Sequence, residues 1–182
     1  AGASRVYAER TLKFLLWQRG GWKVYVGGPR GIGDYIQEMY ATDGARAFDY
    51  HFMGEEVYEH PFTVVPCAPA DVPAEQEPER SLGRHLDGYR VGFDLGASDL
   101  KVSAVVNGEA VFSAEIVWEP RKHTDPSYHY DQIMAALRSA MSKMPRVDAI
   151  GGSSAGVYIN NRPMVASLFR GIPKDRYHEV RN

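Results

Sequence analysis

Cysteine is nearly missing from this 182-residue chain, with Cys67 its only representative. No internal disulfide can form, and a reducing compartment is expected. Long apolar runs are missing as well. None approaches the roughly 18–20 residues that cross a bilayer, and the opening "AGASRVYAER" lacks the apolar stretch of a signal peptide. A soluble, cytoplasmic protein is the expectation. No sign of charge dominates: 21 Lys and Arg face 23 Asp and Glu, for a formal net charge of −2. That balance gives no electrostatic case for a nucleic-acid or membrane-surface partner. The six histidines show no close paired spacing, and beside a single cysteine they do not suggest a zinc cluster. What is present is globular: 44% hydrophobic and 12% aromatic residues, enough to bury a core in one domain or two small ones.

Two textures divide the chain. Residues 1–65 read as a small α+β region. In "RVYAERTLKFLLWQRGG", Val6, Leu12, Leu15, Leu16 and Trp17 fall near helical spacing, and Gly20-Gly21 offers a stop. "WKVYVGG" alternates like a strand, and "IGDYIQEMYA" places Ile32, Tyr35, Ile36 and Met39 on one helical face. "ARAFDYHFM" and "EVYEHPFTVV" are aromatic and β-branched, which predicts strands. Residues 66–88, rich in proline and acid, read as a linker or surface loop.

Residues 89–182 are patterned more clearly. "YRVGFD", "LKVSAVV" and "EAVFSAEIVW" are three strands, and Asn107-Gly108 between the second and third predicts a two-residue hairpin turn. An antiparallel meander follows. "DPSYHYDQIMAALRSAMSKM" predicts a helix with Ile133, Leu137, Ala140, Met141 and Met144 as its apolar stripe, stopped by Pro145. "RVDAIGG" is a fourth strand running into a glycine-serine turn, "VYINNRPMVASLF" is partly extended, and "PKDRYHEVRN" begins a helix.

The chemistry concentrates in "GFDLGASDLK". Asp94 closes an apolar strand, where a carboxylate is costly unless solvated, hydrogen-bonded or paired. It could hold water on Mg²⁺, which prefers oxygen ligands. Gly96 allows close approach of backbone to an anion. Gly96, Ala97 and Ser98 could form a concavity of N–H and hydroxyl donors, and Lys101 could add positive charge. The competing reading is a plain hairpin in which Asp and Gly serve the turn. Ser153 and Ser154 follow the fourth strand, at the end of a strand where ligands gather in open α/β sheets; they either line a cleft or cap a turn. "VGGPRGIGDYI" follows a strand and precedes a helix, a setting that can bind anions. It lacks a P-loop ending and reads as a turn, with Arg30 keeping an anion contact open.

The order strand, glycine hairpin, strand, Asn-Gly hairpin, strand, helix, strand, glycine-rich turn resembles the ribonuclease H-like fold of the actin-like ATPases. "DLGASDLK" resembles the first phosphate motif of the ROK and hexokinase-like sugar kinases, Asp-x-Gly-Gly-Thr, with Asp94, Gly96 and Lys101 matching and Ala97-Ser98 standing for Gly-Thr. "AIGGSSAGVYINNRP" is similar to the family's second strand-turn motif, with Ala155-Gly156 in place of Pro-Gly. The resemblance implies an α/β fold: an actin-like ATPase lobe of meander, helix and further strand, preceded by the small α+β region. It implies the N-terminal part of an ATP-dependent carbohydrate kinase that transfers the γ-phosphoryl of ATP to a sugar hydroxyl, with ATP and Mg²⁺ as cofactors and a nucleotide and a sugar as partners. Asp94 would sit in the Mg²⁺–water shell. Gly96, Ala97, Ser98 and Lys101 would bind phosphate, and Ser153, Ser154 and Gly156 would line the substrate cleft. The family's general base follows a later strand, beyond Asn182, so the piece in hand is not expected to catalyse alone. A non-catalytic regulator or assembly domain of the same fold is the alternative, and a homodimer is a candidate assembly.

Overall fold

The computed structural model describes residues 2–75 and 85–181. The chain forms two compact units, Ala1–Glu79 and Arg80–Asn182. Part of the expected linker, residues 76–84, lies outside the described residues. No helix among the described residues is long and apolar enough to cross a membrane.

The first unit opens with helix α1 (Gly2–Arg19), followed by β1 (Lys23–Gly27) and α2 (Arg30–Met39). A short helix α3 (Ala47–Asp49) widens into π-helical turns over Tyr50–Tyr58, and β2 (Thr63–Cys67) runs parallel to β1 from Lys23↔Thr63 to Gly27↔Cys67. Leu16, Ile36, Tyr40, Met53, Phe62 and Val64 form the core. Two carboxylates are buried with it. Glu9 pairs with Arg46, and Asp49 accepts from Lys13 Nζ at 2.7 Å and from Trp17 Nε1 at 2.7 Å. Burial, then Asp49 and Glu9, push the Tyr40 phenol up from its ordinary value.

Two expectations are overturned here. "ARAFDYHFM" and the first half of "EVYEHPFTVV" are helical or turn, and only Thr63–Cys67 is extended. Aromatic content suggested strands, but Tyr50, Met53 and Val57 follow each other at helical spacing, and Met53 and Val57 are buried. Gly54 permits the fit: a Cβ there would lie 2.7 Å from both His60 O and Phe62 N. The expected linker also begins too early, since Pro66 and Cys67 complete β2 opposite Val26 and Gly27.

The second unit is a mixed four-stranded sheet in the order β5-β4-β3-β6. Its strands are β3 (Tyr89–Leu95), β4 (Asp99–Val106), β5 (Glu109–Val117) and β6 (Ala149–Ser154). The first three form the antiparallel meander, and β6 returns parallel to β3. Asn107 and Gly108 turn the second hairpin with φ of 50° and 90°. Helix α4 (Pro126–Met141) links β5 to β6. Its N-cap Asp125 accepts from the Ser127 N–H at 3.1 Å, and Pro126 occupies the first turn. The helix ends at Met141, before Pro145, and Met141 is exposed rather than part of the inner stripe. Ala136 and Ala140 are buried against Val91, Leu95, Leu100, Val102 and Ala104, with Ile133 and Leu137 packed beside them. A hairpin of β7 (Val157–Ile159) and β8 (Arg162–Val165) follows, then a 3-10 turn Ser167–Phe169 and a short helix α5 (His178–Arg181).

Strand alternation sorts the sheet into two faces. Val91, Leu100, Val102 and Ala104 face α4. On the opposite face the register lines up Glu115, Lys101, Asp94 and Ser153 in one row, and Ser113, Ser103, Gly92 and Gly151 in the next.

Candidate functional site

Asp94 lies one residue before the end of β3, between β4 and β6. Its partner in parallel β6 is Ser153, whose hydroxyl donates to Asp94 Oδ1 at 2.5 Å. The sequence suggested a cleft for Ser153 but not this bond, because parallel register between strands 59 residues apart cannot be read from local pattern. The Asp94 carboxylate therefore has a fixed donor on one oxygen. On this face of the sheet an open trough of about 530 Å³ is lined by Gly92, Asp94, Lys101, Ser103, Ser113 and Glu115.

The turn after β3 is held from inside. The Gly96 N–H donates to Asp99 O at 2.9 Å, and Trp118 Nε1 donates to Gly96 O at 2.9 Å. Trp118 is almost fully buried, and its backbone N–H donates to Ser98 O at 3.2 Å. Gly96 is needed for close approach, since a Cβ there would stand 2.7 Å from Asp99 O. In the sequence Trp118 is only the last residue of the strand "EAVFSAEIVW". Its role as a clasp on the turn depends on how the hairpin folds back.

Asp99 reorganises the expected donors. Lys101 Nζ pairs with Asp99 Oδ2 at 2.7 Å, and the Ser98 hydroxyl donates to Asp99 Oδ1 at 3.0 Å. Lys101, then Ser98, holds the Asp99 carboxyl below the usual carboxylate range, and Asp99 holds the Lys101 ammonium above its ordinary value. Asp99 and Lys101 are two residues apart on one strand, so alternation places both on the same face. Lys101 is thus opposite Asp94 in register, but its head group is engaged by Asp99. Of the turn's N–H groups, those of Ala97 and Ser98 find no acceptor among the described residues.

Ser154 and Gly156 are placed differently from Ser153. The Ser154 hydroxyl, at the end of β6, accepts from Tyr158 OH of β7 at 2.8 Å. Gly156 has φ of +146°, and a Cβ would meet Val165 O at 2.6 Å, so this glycine serves the crossing of β7 and β8. The structure thus joins Asp94 with Ser153 directly and the turn residues with Asp99, while Ser154 and Gly156 shape the adjacent hairpin.

Histidine plays a packing role below the sheet. His129 is buried in α4, with Nε2 3.0 Å from Pro120 O and 3.2 Å from Leu168 O. Two carbonyl acceptors fix the proton on Nε2. Among the described residues no group of three or more His, Cys, Asp or Glu side chains could hold a metal ion. A cation at this site would meet Asp94 at the strand end, with Glu115 on the far side of Lys101 in the same row, and carboxylate oxygen is the kind of donor that magnesium prefers.

The chain matches no family model. It also matches no curated protein and no solved structure.

Proposed function

We propose that this chain is the N-terminal part of an ATP-dependent carbohydrate kinase with an actin-like ATPase, ribonuclease H-like lobe. The observation that carries the reading is the pairing of Asp94 with Ser153 across parallel strand ends, beside a short glycine turn. A three-strand meander, a linking helix and a fourth strand laid parallel beside the first support the same fold. In this reading Asp94 holds water toward Mg²⁺, with Ser153 fixing the carboxylate's orientation. The Ala97 and Ser98 N–H groups receive phosphate oxygens, as successive backbone donors do in an anion-binding concavity. Trp118 keeps the turn in shape before any ligand arrives, and such positioning is what phosphoryl transfer asks of a protein. Mg-ATP would supply the transferable phosphoryl group and a sugar the accepting hydroxyl. Lys101 contributes only if it leaves Asp99. A reducing, cytoplasmic setting accords with the single cysteine.

The engagement of Ser98 and Lys101 by Asp99 favours a second reading, in which the turn is purely structural. One titration separates the two. Mg-ATP is added to the ¹⁵N-labelled chain while the Ala97 and Ser98 amides are followed by NMR. The kinase reading expects saturable shifts there that are lost in Asp94→Asn. Unmoved amides at about 10 mM nucleotide, beyond the reach of millimolar affinity, leave the structural turn as the answer.

A further inference from the structure

Helix α1 is apolar on two sides. Ala8, Leu12 and Leu16 face the core of the first unit. A second stripe points the other way. Ala3, Tyr7, Arg10, Phe14 and Trp17 are all exposed, at successive spacings of four, three, four and three residues. That is the spacing of a helix–helix seam. Tyr7 is 76% exposed, Phe14 65% and Trp17 46%. Phe48, 66% exposed, stacks on Trp17 at 6.2 Å between centroids, and Phe52 stacks on both.

We propose that this stripe is a self-association surface, on which two copies of the chain pack α1 against α1 in antiparallel fashion about a two-fold axis.

Three observations choose this occupant. The first is area. With about 150–250 Å² for each large aromatic side chain, the exposed fractions of Tyr7, Phe14, Trp17 and Phe48 amount to roughly 400–600 Å². Val6, also exposed and close to Trp17 around the helix, extends it. This is about half to three quarters of the roughly 800 Å² per partner of a stable interface, at the upper end of the largest patches that monomers expose, which are often functional.

The second is self-complementarity. Antiparallel pairing centred on residue 12 sets Tyr7 against the Trp17 of the other copy and Arg10 over its Phe14. A guanidinium over an aromatic face is attractive, and aromatic residues with arginine are the usual anchors of interfaces. Parallel pairing would instead set Arg10 against Arg10. The third is that the stripe is already oriented. Glu9 with Arg46, and Lys13 with Asp49, tie the inner side of α1 to the segment around α3. Breaking such buried pairs is strongly unfavourable, so α1 cannot roll its outer aromatics inward. Two-fold pairing also makes the interface isologous and closed.

The test is the molar mass of the full chain in solution, by light scattering and sedimentation equilibrium over about 1–100 µM. A dimer at twice the 20.3 kDa of the chain is expected. Tyr7→Glu and Phe14→Glu should each weaken it at least tenfold, with the far-UV circular dichroism of the parent. Both side chains face solvent, so either variant can serve if the other misfolds. Acrylamide quenching of Trp17 fluorescence, read as the difference from Trp17→Phe, should fall as the dimer forms. Three results overturn the proposal. They are a wild-type monomer throughout the range, a dimer that survives both substitutions, and a monomer that instead sediments with phosphatidylserine-containing vesicles through the same residues.

Discussion

Replacing Trp118 by Phe tests the clasp on the turn after β3. The substitution removes the hydrogen bond from Nε1 to Gly96 O. It also deletes the pyrrole part of a side chain that is only 3% exposed and stands edge-on to His129, 6.0 Å between centroids. The lost hydrogen bond costs about 1 kcal/mol net. The missing ring atoms add about 1–2 kcal/mol in burial and unfilled space. The expected loss is therefore about 2–3 kcal/mol. For a unit of this size that corresponds to a fall in Tm of roughly 10 °C or more. Thermal melts followed by far-UV circular dichroism measure it directly, and amide exchange at Gly96, whose N–H is bonded to Asp99 O, should accelerate in parallel. A loss below about 0.5 kcal/mol, the range of ordinary surface changes, would falsify the clasp.

Three further perturbations address other parts of the chain. Gly152→Ala puts a Cβ 2.4 Å from the Phe93 ring, and the displaced ring should cost about 1–3 kcal/mol, read from urea denaturation. Asp49→Ala leaves Lys13 and Trp17 without their acceptor. Because the Lys13 side chain is 33% exposed and can turn toward water, the loss should be about 2–4 kcal/mol rather than the full value for a wholly buried pair; an unchanged melting curve contradicts the buried pairing. The last is a pH effect. Ser127 N–H donation, with Arg176 nearby, holds the Asp125 carboxyl below the usual carboxylate range. A depressed folded-state value gives stability that is present above the unfolded carboxylate value and is lost as pH falls through the folded one. Asp125→Asn keeps a capping oxygen but no titration, so its urea midpoint should fall less steeply than the parent's below about pH 4; parallel slopes contradict the assignment.

The sheet of the second unit was legible because its signals are local. Alternation marks β3, β4 and β5, and Asn107-Gly108 demands the turn that joins two of them. The segment 47–58 was not legible, because its aromatics satisfy strand propensity while their spacing satisfies a helix, and packing of Met53 and Val57 decided for the helix. Asp94 stood out as a carboxylate ending an apolar strand. Its bond to Ser153 depends on a parallel register set only when α4 has returned the chain. Lys101 shows the limit of motif reading most clearly: its spacing suits a phosphate contact, yet a neighbour two residues earlier on the same strand face engages its charge.

The connectivity of the sheet also orders its assembly in time. The β3–β4 and β4–β5 pairs close over short turns, at little entropic cost. Asp94 and Ser153 must be brought together across 59 residues. Pairings of such separation form late and slow the folding of the domains that contain them. A refolding chain should therefore acquire the glycine turn with its first hairpin and the Asp94–Ser153 contact only with its last strand, so the contact that orients the carboxylate also reports that the sheet is complete.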